Sequence, residues 1–89
     1  MTARVPIQVG QATYLLSVDR RILGGQRAVH VVAYRPDGTA VLVREITTTS
    51  AKAYLTRDTD QEPPTWEELE AVATDLIVIE LEDEADAGR

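Results

Sequence analysis

The chain has 89 residues, a formal charge of −6, no cysteine, no phenylalanine, one tryptophan and three tyrosines. That is enough for one small domain, with a core built from Val, Ile, Leu and Ala. It excludes disulfides, thiolate catalysis and Cys-based zinc or iron–sulfur sites. The charge is unevenly spread. Residues 1–57 hold eight bases and three acids, whereas residues 58–89 hold twelve acids and one base, Arg89. Such a split points to a charged partner or to one half folding against the other. Met1–Pro6 has no basic segment followed by an apolar run, and no apolar stretch approaches the roughly 20 residues of a membrane span. A soluble cytoplasmic protein is therefore expected, with no membrane partner.

Val5, Ile7 and Val9 alternate with Pro6 and Gln8, the period of a strand. Pro6 cannot donate to a ladder, so this strand is expected at an edge or with that N–H side exposed. Gly10-Gln11 reads as a tight turn. It leads into Ala12–Asp19, in which Tyr14, Leu16 and Val18 share a face, completing a hairpin. Arg20 to Gln26, with Gly24-Gly25, reads as an exposed arginine-rich loop.

Arg27–Arg35 and Thr39–Thr47 flank Pro36-Asp37-Gly38. Pro36 presets φ, and Gly38 accepts the left-handed conformation that accompanies a bulge. With Arg35 opposite Thr39 and regular pairing, Ala33 faces Val41, Val31 faces Val43 and Val29 faces Glu45. On the other side Tyr34 faces Ala40, Val32 faces Leu42 and His30 faces Arg44. Both faces of this hairpin are then largely apolar, so it is expected to be central or to have one face covered by a partner. Ala51–Arg57 reads as a fifth strand, which Tyr54 and Thr56 tolerate, the alternative being a helix, which Ala51, Lys52, Ala53 and Leu55 favour; Asp58–Pro64 reads as a polar linker.

Thr65-Trp66-Glu67-Glu68 is a capping box. Trp66, Leu69, Val72, Ala73 and Leu76 recur at helical spacing, with Glu67, Glu68, Glu70 and Asp75 on the remaining arc. The β-branched run Leu76–Leu81 reads as a short last strand, the alternative being that the helix runs on. Glu82 to Arg89 reads as a disordered acidic tail. The expected architecture is α+β: an antiparallel meander of five to six strands with one C-terminal amphipathic helix on one face. A single domain occupies residues 1–81 and the tail residues 82–89.

No reactive constellation emerges. His30 is the only histidine, so no transition-metal site is expected, and like-charged Arg44 beside it would oppose its protonation. Gly24-Gly25 lacks the spacing of a phosphate-binding loop. The acids of residues 80–86 lack the interleaving of a calcium loop. No cofactor, metal, small-molecule ligand or enzymatic activity is expected. The leading function is a non-catalytic protein–protein interaction domain, such as an adaptor, an inhibitor or immunity-type protein, or an assembly subunit. It would act through a sheet face or edge, self-association included. Its candidate contact residues are Arg20, Arg21, Arg27, Tyr34, Arg44, Trp66, Glu67 and Glu70. The alternatives are a nucleic-acid binder using the arginine-rich segment 20–27 and adjacent strands, and an acidic nucleic-acid mimic.

Overall fold

The computed structural model describes residues 4–58 and 61–87. Four strands, β1 (Arg4–Val9), β2 (Ala12–Leu23), β3 (Gln26–Tyr34) and β4 (Ala40–Thr47), form one antiparallel sheet in the order β1-β2-β3-β4. A four-residue helix α1 (Thr48–Ala51) follows, then a long helix α2 (Trp66–Ala87). The fold is α+β, with a C-terminal helix on a meander, and the sheet has four strands where five to six were expected.

β1 lies at an edge. The turn between β1 and β2 has two residues, with Val9 opposite Ala12. In such a hairpin the closing pair exchanges hydrogen bonds, so Val9, Ile7 and Val5 bond inward to β2. Pro6 then faces outward, where its missing N–H costs the ladder nothing. Arg20–Gln26 is not a loop. β2 continues to Leu23, which pairs with Gln26, and the connection is Gly24-Gly25 alone. Both glycines have positive φ (57° and 80°), the conformation that lets a two-residue turn follow the twist of its strands.

The β3–β4 turn forms where the sequence marks it. The Arg35 amide donates to the Thr39 carbonyl at 2.8 Å, the Gly38 amide donates to the Arg35 carbonyl at 2.9 Å, and Tyr34 faces Ala40. Beyond that point the register differs from regular pairing. Ala33 faces Leu42, so Val41 is an extra, bulged residue. Because side chains alternate along a strand, one inserted residue exchanges the faces of everything after it. His30 therefore faces Glu45 and not Arg44, while Arg44 faces Val31 on the helix side.

Neither of the two further strands forms. Thr47 caps α1: its hydroxyl accepts from the Ser50 amide, and the Ser50 hydroxyl accepts from the Thr47 amide. That reciprocal cap starts a helical turn, which buries Ala51 fully, and the following residues form turns with Leu55 packed on the core. Leu76–Leu81 belongs to α2. Leu69, Ala73, Ile77 and Leu81 recur every four residues, each at most 1% exposed, whereas Ile79 is 53% exposed. A strand would place Ile77, Ile79 and Leu81 together. Burying a large aliphatic chain is worth about 1.5–3 kcal/mol. The helix cost of a β-branched residue is a few tenths of that, so the four-residue stripe decides the conformation. The helix continues through Glu82–Ala87, part of the segment expected as a disordered tail; Gly88 and Arg89 lie outside the described residues. It continues α2 through the stripe that ends at the fully buried Leu81, so its first turns are already nucleated.

The core lies between α2 and one face of the sheet, where Leu69, Ala73, Ile77 and Leu81 meet Val9, Leu16, Val29, Val31, Ala33 and Ile46. The molecule is 17 Å across its thinnest dimension, room for a sheet and a helix and no third layer. The opposite face of the sheet carries no element among the described residues.

Candidate functional site

Three arginines, two from the sheet and one from the connecting segment, pair with acids of α2 and its approach. At the first turn, Arg20 of β2 donates from Nε to Glu70 at 2.5 Å and lies 3.6 Å from Glu67. These carboxylates, the Glu70 hydrogen bond first, raise the Arg20 guanidinium above its ordinary range. Arg20 and Arg27 also approach the Trp66 ring, with guanidinium carbons 5.5 and 5.3 Å from its centroid. Arg27 donates to the carbonyl of buried Pro64 at 3.4 Å. Further along, Arg44 grips Glu80 with two nitrogens, Nε donating to Oε1 at 2.6 Å. From the connecting segment, Arg57 donates to both oxygens of Glu68, and its Nε donates to the Glu62 carbonyl.

Glu68 is the best-tethered acid. Besides Arg57, it accepts from the Thr65 amide at 3.1 Å, while its own amide donates to the Thr65 hydroxyl at 3.1 Å, the expected capping box. The Arg57 hydrogen bonds, with the Thr65 amide second, lower its carboxyl to about 2.

Five of the eight candidate residues, Arg20, Arg27, Trp66, Glu67 and Glu70, therefore meet in one cluster where the β2–β3 hairpin end touches the start of α2. The cluster is satisfied within the chain. Arg44 is held apart from it by Glu80. The remaining two belong to the opposite face of the sheet, where Tyr34 has the Arg4 guanidinium 3.9 Å above its ring centre and Arg21 stands opposite Ala28.

That opposite face is read from the register in rows across the strands. One row holds Pro6, Leu15, Tyr34 and Ala40; the next holds Arg4, Ser17, Val32 and Val43. A third crosses three strands as Asp19, His30 and Glu45. The His30 Nδ1 lies 3.5 Å from Glu45 Oε2 and is buried without a hydrogen bond. Val43 is 45% exposed here. None of Leu15, Asp19, His30, Val32, Val43 and Glu45 was among the candidates; of these, Val43 and Glu45 reach this side only through the bulge at Val41.

At the turn end of the sheet, β2 and β3 part company. Their ladder ends at Leu15–Tyr34, while Ala12–Tyr14 remain paired with β1 alone. Between them opens a cavity of about 440 Å³ lined by Ala12, Thr13, Tyr14, Arg35, Pro36 and Asp37. Asp37 accepts from the Thr39 amide at 2.9 Å, and this hydrogen bond lowers its carboxyl below the ordinary range.

No group of three or more His, Cys, Asp or Glu among the described residues is arranged to hold a metal. No described helix is long and apolar enough to cross a membrane. Comparison with known proteins finds no matching family model, no matching curated protein and no matching solved structure.

Proposed function

We propose that the protein is a non-catalytic protein–protein interaction domain that works through its sheet. The observation that carries this reading is the one-sided sheet: α2 covers one face, and the other presents Leu15, Tyr34 and Val43 around a buried Val32, with no covering element among the described residues. A sheet face with apolar side chains and a rim of arginine and carboxylate has the make-up of a recognition surface. The nucleic-acid reading draws less support. Arg20, Arg44 and Arg57 are neutralised by Glu70, Glu80 and Glu68, and Arg27 is engaged by Trp66 and Pro64. The same pairs occupy helix acids that a nucleic-acid mimic would have to display.

Sedimentation of the full chain, with and without a copurifying partner, tests the proposal. A complex, whether with itself or with another protein, should form with the native chain. It should be lost with Val43→Asp and kept with Ile79→Asp, which changes the exposed side of α2. A chain that stays monomeric and retains no partner overturns it, as does a complex indifferent to Val43→Asp.

A further inference from the structure

The divergence of β2 from β3 leaves a short piece of unpaired strand inside the sheet's outline. The alternation set by the Val9–Ala12 closing pair turns the Ala12 and Tyr14 backbone toward β1. Thr13 must then turn its N–H and C=O the other way, toward the position β3 would occupy. β3 has left by that point: the Arg35 amide is committed to Thr39, and the Arg35 carbonyl to Gly38. Thr13 thus offers one donor and one acceptor to the cavity, the pairing that an added strand residue requires. The cavity, about 440 Å³, falls within the ordinary size of a ligand site.

Its walls supply the rest. Tyr14 and Pro36 are apolar surfaces. Arg35 is the one cation of the lining, with no carboxylate within ion-pair distance among the described residues. A guanidinium presents several N–H groups in a plane and matches a carboxylate with two parallel hydrogen bonds. Asp37 stands beside it with its charge retained, one oxygen already taken by Thr39. The site therefore favours a ligand whose negative charge is confined to one end.

We propose that this cleft binds the C-terminal end of an extended peptide, its terminal carboxylate on Arg35 and its backbone paired with Thr13. The proposal rests on the interaction reading and names a partner class and a second location for it. Asp37 selects against acidic residues next to the terminal carboxylate, and the chain's net charge of −6 acts in the same direction.

The test uses the full chain, labelled for amide NMR, and a mixed pool of hexapeptides with free C-termini at millimolar concentration. The amides of Thr13, Tyr14, Arg35 and Asp37 should shift. A pool amidated at the C-terminus, and the Arg35→Gln chain with the free-acid pool, should each bind about tenfold more weakly, the loss of one charge-assisted contact. Pools with Glu or Asp before the last residue should bind more weakly than pools with Lys there. Shifts absent from these amides, or unchanged by both amidation and Arg35→Gln, overturn the proposal. Shifts confined to Val32, Val43 and their neighbours also overturn it, while leaving the interaction reading of the sheet face in place.

Discussion

The two faces of the sheet are made by the same four strands and differ in what finishes them. On the helix side, arginines reach up from β2 and β4 to carboxylates on α2, and the aliphatic stripe of the helix closes over Val29 and Val31. On the other side, the charged residues lie among their own neighbours: Arg4 rests on Tyr34, and His30 stands between Asp19 and Glu45. Charge on the first face fastens a layer; charge on the second belongs to the surface itself. One residue, Val41, separates the two arrangements.

The most severe way to break this contrast is Leu69→Ala, at a site with no exposure, expected to cost about 2–5 kcal/mol in chemical denaturation. Val43→Ala, on the uncovered side, is expected to cost less than about 1 kcal/mol. Similar losses for the two would mean that both faces are covered in solution.

A smaller effect concerns acid. The Glu68 carboxyl sits at about 2 in the folded chain against an ordinary 4.5, so below pH 4.5 the unfolded chain binds the extra proton first. The contribution of this contact is complete above about pH 4.5 and fades as the pH falls toward 2. Arg57→Ala should flatten that slope and lower stability at neutral pH by less than Leu69→Ala does. An unchanged slope between pH 4.5 and 2 would assign the acid sensitivity elsewhere. The smallest change is expected from Arg20→Ala, read by the fluorescence of Trp66, the only tryptophan. Its emission should move with loss of the guanidinium contact, while added salt should affect the native chain more than the variant.

The elements that the sequence made legible are those whose signal is local. The Pro36-Asp37-Gly38 turn, the Thr65–Glu68 capping box and the alternation of Val5, Ile7 and Val9 each declare themselves within a few residues. The bulge does not. Gly38 marks the turn that accompanies it, yet the extra residue is Val41, and nothing in Ala40-Val41-Leu42 separates one valine from the next. Leu76–Leu81 was misleading for a related reason: its β-branched content favours a strand locally, and the choice was made by Leu69 and Ala73, which lie outside the run. Among the candidate contacts, the helix acids found their arginines across 36 to 50 positions of sequence, as in Arg44–Glu80 and Arg20–Glu70. Residue type announces such a pair's charge and not its mate.

Pro6 bears on how copies of this sheet are able to grow. A strand edge is a template for another chain, and a sheet with two free edges propagates without limit. Here the outer edge of β1 is interrupted at its centre by a residue with nothing to donate, so polymerisation through that side is chain-terminated. Growth along a whole edge strand is then left to β4 among the described residues, and β4 meeting β4 would join two copies with the Pro6 edge of each turned outward.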